Sequence, residues 1–211
     1  MQLVENQKIK KMKTRILSIA IILVSILGIT NAGFAASSNA AIVTTLTDIS
    51  SVNKIEVHGN VVVFISNGDA KNVKVYNQYY GESALVQNHN GVLRISSYKA
   101  EKLVVWVTSN EIQSVSAYDN AEVKSVGNLS KIEFYVELHN DSKAVLNLDA
   151  YTATVKLGDN AKIELSGSVD EYNLSRNINA VVNNNSLKIV HFYESKLVLP
   201  AAKNEDELMG L

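Results

Sequence analysis

The sequence lacks cysteine entirely and has only one proline and ten glycines among its 211 residues. Without cysteine the chain can form no disulfide, and it offers no thiol to which a lipid anchor could be joined. So little proline and glycine leaves few positions at which a strand must break. Charged residues make up only 19% of the chain and hydrophobic residues 46%, which argues for a globular protein with a core and against disorder.

Helical patterning is also absent, because no segment repeats its apolar residues at the spacing of an amphipathic helix. Alternation between apolar and polar residues takes its place. The stretch "NKIEVHGNVVVFISNG", residues 53–68, alternates in this way, and "NGVLRISSY", residues 90–98, begins with an Asn-Gly turn. The sequence therefore predicts an all-β protein built from many short strands.

The first 35 residues have the layout of a secretory signal peptide. Five basic side chains precede an apolar stretch from Ile16 to Ile29, and small residues lead to Ala35 and Ala36. Met12 is an alternative start to Met1, since a complete signal follows it. A retained membrane anchor is the other interpretation, but about 14 apolar residues fall short of the roughly 20 that span a bilayer. We expect cleavage, and no transmembrane segment afterwards.

Loss of this leader changes the charge of the chain. Five of the 20 basic residues and one of the 21 acidic residues lie within it, so the mature chain carries a net charge near −5. A nucleic-acid partner requires a basic surface, and we therefore expect none. Export without disulfides indicates a bacterial protein of the periplasm, the outer-membrane surface or the extracellular space.

A repeat of 19 to 21 residues runs through the second half of the chain. Its turns carry a corner ladder of polar residues, namely Asn120, Asp141, Asn160 and Asn179. Asparagine and aspartate tolerate the left-handed backbone that tight corners need. Apolar residues keep one register around these corners, at Val115, Val136, Val155 and Leu174. Such periodicity predicts a single-domain right-handed parallel β-helix, a solenoid in which equivalent positions stack about 4.8 Å apart.

The strand and turn motifs resemble those of the head GIN domain family, described as "putative auto-transporter adhesins". The likeness rests on "NKIEVHGNVVVFISNG", "LVVWVTSNEIQSVSAYDNAEV" and "GDNAKIELSGSVDEYNLS" and extends over roughly residues 50–199. It implies an exported β-helical protein of a Bacteroidetes-type bacterium with an adhesin-like function. Here Asp-Asn and Asn-Asp pairs occupy corners where the family often has Gly and Ser. We therefore divide the chain into a signal peptide (1–35), a polar lead-in (36–48), a head GIN-like domain (49–199) and an acidic tail (200–211).

Carboxylates at the corners are the first candidate site. Asp119, Asp141 and Asp159 would lie close together on successive coils, where they could bind Ca²⁺ or act on a polysaccharide. Turn propensity alone also explains aspartate at these positions, and we favour that interpretation. The four histidines lack metal-ligand spacing, and no nucleophile motif is present, so we expect no metal, no cofactor and no catalytic residue.

Tyrosines are the second candidate site. Tyr79 and Tyr80 fall in a predicted loop, Tyr118 precedes the first corner, and Tyr135 lies within the repeats. Exposed tyrosines beside amides and carboxylates are typical of a sugar-binding face, although tyrosine is also an ordinary strand residue.

Two classes of function compete on these features. We favour a non-catalytic envelope protein, monomeric or weakly self-associating, that binds a surface glycan or an envelope protein. The alternatives are a polysaccharide lyase or hydrolase that uses the corner aspartates, and a self-associating scaffold.

Overall fold

The structure is a computed structural model that describes residues 43–46, 51–76 and 84–197. The predicted signal peptide, the acidic tail, Tyr79 and Tyr80 lie outside the described residues. The predicted domain boundaries therefore stay predictions.

Every regular element in the described residues is a β-strand, which confirms the all-β class. Alternating apolar residues form these strands because one face of each can be buried. The strands are β1 (Val43–Leu46), β2 (Lys54–Gly59), β3 (Val61–Ser66), β4 (Asn72–Tyr76), β5 (Ala84–His89), β6 (Val92–Ser97), β7 (Leu103–Thr108), β8 (Ser114–Ala117), β9 (Glu122–Ser125), β10 (Leu129–Leu138), β11 (Lys143–Leu157), β12 (Lys162–Arg176) and β13 (Val181–Lys196). None of the described segments is a helix that could span a membrane.

The strands join in one strongly curled, mixed sheet of 13 strands. Most neighbours are parallel, but β1 with β4, β4 with β7, and β5 with β6 are antiparallel. A right-handed parallel β-helix is therefore not confirmed. The β5–β6 pair is a hairpin that turns at Asn90 and Gly91, whose φ angles of 51° and 81° suit such a turn, whereas β4 pairs antiparallel with two strands distant in the sequence.

The predicted repeat register is confirmed in the parallel part of the sheet. Val136 pairs with Val115 on one side and with Val155 on the other, and Val155 pairs with Leu174. Val115, Val136 and Val155 are fully buried, with Leu174 almost so. Equivalent positions thus stack into continuous apolar rows that form the core.

The order of the strands is not the order of the sequence. Strand β2 lies between β6 and β8, and β3 lies between β7 and β9. Strands β2 and β3 are therefore interior strands of the sheet, although they come early in the chain. This arrangement places the turn between β2 and β3 beside the turns of the later repeats, where the candidate site lies.

Candidate functional site

Four residues with left-handed backbone lie side by side at the turns that follow β2, β8, β10 and β11. Gly59, Asp119, Asn140 and Asp159 have φ angles of 80°, 59°, 57° and 51°. We call these four residues the turn ladder. Glycine is required at the first of them, because a Cβ there would lie 2.2 Å from the Ser97 carbonyl oxygen.

Side chains of the turn ladder satisfy backbone donors on the neighbouring turn. Asp119 Oδ2 accepts a hydrogen bond from Gly59 N at 3.0 Å, and Asn140 Oδ1 accepts one from Asp119 N at 3.1 Å. Asp159 Oδ2 accepts one from Asn140 N at 2.8 Å. Each side chain thus fixes the preceding turn, and both carboxylate and amide oxygens serve as the acceptor.

The predicted corner ladder lies one residue further along. Its first three members, Asn120, Asp141 and Asn160, are exposed, and Asn160 Nδ2 contacts Asp141 Oδ1 at 3.4 Å. The fourth turn is built differently, since Asn177 Oδ1 accepts hydrogen bonds from the N–H groups of Asn179 and Ala180. Gly59 was the signal that could have located the left-handed position, because it stands immediately before Asn60 as Asp119 stands before Asn120.

Three flat rings stack on the outward face beside these turns. The centroids of His58 and Tyr118 are 4.5 Å apart with an interplanar angle of 3°, and those of Tyr118 and His139 are 5.0 Å apart with an angle of 1°. We call these three residues the ring stack. Gly158 follows in the next repeat, where a Cβ would lie 3.0 Å from His139 Nδ1. Both faces of Tyr118 are therefore covered, which leaves only its edge for contact with a ligand.

Carboxylates flank the ring stack on both sides. His58 Nε2 lies 3.1 Å from Glu56 Oε1, and His139 Nε2 lies 3.2 Å from Glu137 Oε1. Burial raises the pKa of the Tyr118 phenol, and the charges of Glu137 and Glu56 raise it further. Tyr135 donates a hydrogen bond to Glu137 Oε2 at 3.4 Å and is half-buried. Tyr118 and Tyr135 thus belong to one polar network rather than to separate exposed platforms.

One residue that the sequence reasoning missed is Tyr98, which is 75% exposed. Its hydroxyl donates to Asp119 Oδ2 at 3.3 Å, which places the ring beside the turn ladder. Asn60 Nδ2 holds the loop after Tyr98 by donating to the carbonyls of Lys99 and Ala100 at 3.1 and 2.9 Å. The sequence feature that could have indicated Tyr98 is its position directly after the residues that form β6, where an aromatic side chain is more exposed than within a strand.

The three corner aspartates lie in the turns that follow neighbouring strands, Asp119 after β8, Asp141 after β10 and Asp159 after β11. Asp119 and Asp159 are engaged with backbone donors, while Asp141 is exposed. Within the described residues no group of three or more histidine, aspartate or glutamate side chains is arranged to hold a metal ion. Turn stabilisation is therefore the role that the geometry of Asp119 and Asp159 supports.

Taken together, the curled sheet, the turn ladder and the exposed Tyr98 define an all-β protein that presents a row of polar turns to solvent. The chain belongs to the family described as "Putative auto-transporter adhesin, head GIN domain", whose model matches residues 51–194.

Solved structures share this fold at low sequence identity. A "putative adhesin" from Bacteroides fragilis is 14% identical with a TM-score of 0.66, and the match covers 74% of this chain and 75% of that one. A "putative adhesin" from Parabacteroides merdae is 12% identical, with a TM-score of 0.62 and coverage of 74% and 77%. A "putative lipid binding protein" from Parabacteroides distasonis is 11% identical, with a TM-score of 0.55 and coverage of 74% and 78%. No functionally curated protein matches the chain.

Proposed function

We propose that this protein is an exported, non-catalytic component of the bacterial cell envelope that binds a surface glycan. Membership of an adhesin family supports export and surface binding as a class of function. The predicted signal peptide and the predicted right-handed winding of the parallel strands are part of the same proposal.

The observation that carries the proposal is the exposed ring of Tyr98 beside a row of polar side chains. An aromatic ring can cover the C–H face of a sugar, while amide and carboxylate groups bind its hydroxyls. Asn120, Asp141 and Asn160 are exposed on successive turns and supply such groups. The parallel pairing sets them about 4.8 Å apart, so the row suits an extended, repeating ligand.

The alternative, a polysaccharide lyase or hydrolase, would use the corner aspartates. Two of these, Asp119 and Asp159, accept hydrogen bonds from backbone N–H groups, and this engagement favours a structural role. If the protein were such an enzyme, Asp141→Asn and Asp159→Asn would abolish its activity. A binding protein would tolerate both changes, because asparagine already serves the turn ladder at residue 140.

The experiment that tests glycan binding is an array screen of the exported chain with and without Ca²⁺. We expect binding to one glycan class, independent of Ca²⁺, and a loss of about tenfold or more in Tyr98→Ala. Tyr151→Ala is the matched control, because Tyr151 is also exposed, at 55%, but lies in the middle of β11. Binding that is unchanged in Tyr98→Ala, or absent from every glycan tested, contradicts the proposed site.

A further inference from the structure

The curled sheet is closed differently at its two ends. At one end the outermost strands are β1 and β5, which have 4 and 6 residues and run antiparallel to their neighbours. At the other end lies β13, which has 16 residues and pairs only with β12 among the described strands. Its second edge therefore presents a long row of backbone donors and acceptors, the usual template for strand pairing.

Four apolar side chains of β13 are exposed. Val181, Val190, Phe192 and Tyr193 are 50%, 67%, 46% and 58% exposed. Native proteins usually protect a long edge with charge, and the charged side chains Lys188, Glu194 and Lys196 are exposed on either side of residues 189–193. Between them, the exposed Val190, Phe192 and Tyr193 form a surface suited to association.

The regular alternation of inward-facing and outward-facing side chains in β13 is interrupted at Val190 and His191. Ile189 packs against the core, and Phe192, three residues later, stacks on the buried Tyr172 with ring centroids 5.3 Å apart. Side chains three residues apart cannot share a face of a straight strand, so β13 bends between them. Two copies of such a bent strand can therefore lie side by side and antiparallel when a two-fold axis passes through the bend.

We propose that two copies of this chain associate through their β13 edges, antiparallel and related by a two-fold axis at Val190 and His191. This register sets Val190 of one copy opposite His191 of the other. It also sets Ile189 opposite Phe192, so the apolar core continues from one copy into the next. A two-fold interface of this kind is closed and yields a dimer rather than a fibre.

Strand length favours a second copy over the other edges of the same protein. The 4 and 6 residues of β1 and β5 cannot cover the 16 residues of β13, which disfavours head-to-tail stacking. In the proposed register residues 185–196 of the two copies pair with each other, a stretch of about 40 Å. With a width of about 10 Å it buries roughly 400 Å² per copy, and the total of about 800 Å² is that of a weak, reversible association.

Disulfide trapping tests the register directly, because the natural chain contains no cysteine. In the proposed dimer the two Val190 Cα atoms lie about 6 Å apart across the axis, within disulfide reach. We expect Val190→Cys in the exported full chain to form a covalent dimer when diamide takes up the two thiol hydrogens. Ile132→Cys is the matched control, because Ile132 is 80% exposed on β10, three strands away from β13. Trapping of Ile132→Cys as efficiently as Val190→Cys overturns the proposal.

Sedimentation of the unmodified chain gives a second, independent readout. We expect a concentration-dependent dimer whose dissociation constant rises roughly tenfold or more in Val190→Lys, because two like charges then meet at the axis. An equimolar mixture of Val190→Lys and Val190→Glu should restore the dimer. A chain that stays monomeric at every concentration, or a Val190→Lys variant that dimerises normally, overturns the proposal. Dimerisation that begins only when residues 198–211 are removed also overturns it, since the chain's own end would then cover β13.

Discussion

At the scale of single residues, the turn ladder shows why aspartate and asparagine recur in this sequence. All four members have a left-handed backbone, and the side chains of Asp119, Asn140 and Asp159 each accept a hydrogen bond from a backbone N–H of the preceding turn. Asparagine and aspartate are the non-glycine residues best suited to both tasks. Because the amide of Asn140 serves where Asp119 and Asp159 have carboxylates, we expect the acceptor oxygen to matter more than the charge.

Substitution of Asp159 separates these two properties. We expect Asp159→Asn to change the free energy of unfolding by less than about 0.5 kcal/mol. Asp159→Ala removes the acceptor for Asn140 N and places alanine at a φ of 51°, which should cost roughly 1–3 kcal/mol. Urea denaturation measures both, with Asp141→Ala as a control whose φ is not left-handed. Equal losses in Asp159→Asn and Asp159→Ala would show that the charge is what stabilises this turn.

Tyr172 is the least expected residue of the core. It is fully buried, and its hydroxyl has no hydrogen-bond partner among the described residues. Burial raises the pKa of its phenol, and the charge of Glu194 raises it further. We expect Tyr172→Phe to stabilise the protein by about 1 kcal/mol in urea denaturation, because a buried unpaired hydroxyl is unfavourable.

The control for this change is Tyr135→Phe, which removes a hydroxyl that donates to Glu137. That variant should be neutral or slightly less stable. A clear loss of stability in Tyr172→Phe would reveal that its hydroxyl is hydrogen-bonded after all.

At the scale of strands, charged side chains on neighbouring strands and turns couple stability to pH. Glu122 on β9 lies 2.9 Å from Lys124 Nζ and 3.6 Å from Lys102 Nζ. The hydrogen bond from Lys124 holds the pKa of Glu122 below its ordinary value of 4.5, despite partial burial. A carboxylate with a lowered pKa stabilises the fold above its ordinary pKa, and this contribution is lost as the pH falls through the folded-state value.

Glu122→Gln should therefore be less stable than the natural chain at about pH 7, by a few tenths to about 1 kcal/mol. The difference should shrink as the pH is lowered below 4.5, where the carboxylate takes up a proton. Urea denaturation at several pH values measures it. In a Lys124→Met background the effect of Glu122→Gln should be smaller, and an unchanged effect there would assign the shift to another group.

The strand pattern and the repeat register were predictable because alternation and period are local properties. The rows of Val115, Val136 and Val155 follow directly from counting along the chain. The antiparallel orientation of β4 and β5 could not be predicted from the sequence, because the relative direction of two paired strands depends on which strands become neighbours in the sheet. The ring stack was also missed, since His58 lies 60 positions before Tyr118 and pairing of β2 with β8 has no signal in the repeat.

At the scale of the whole molecule, the sequence order and the spatial order of the strands disagree. Strands β2 and β3 come early in the chain, yet each lies between two later strands. Residues 54–66 therefore depend on segments from both sides, whereas β13 depends on β12 alone among the described strands. Stability should then be distributed unevenly along the sheet, as in other repetitive structures where each segment contacts only its neighbours.

Hydrogen exchange of backbone amides measures this distribution. We expect the slowest exchange in β2 and β3, whose buried residues Ile55, Val57 and Val63 are fully inaccessible. The fastest exchange among the long strands should occur in β13, because among the described strands it pairs only with β12, so that its local opening breaks contacts with one strand. Uniform protection across all strands would show that the sheet unfolds as one cooperative unit. Protection of β13 that rises with protein concentration would link this gradient to the proposed dimer, because association through the β13 edge adds a second neighbouring strand.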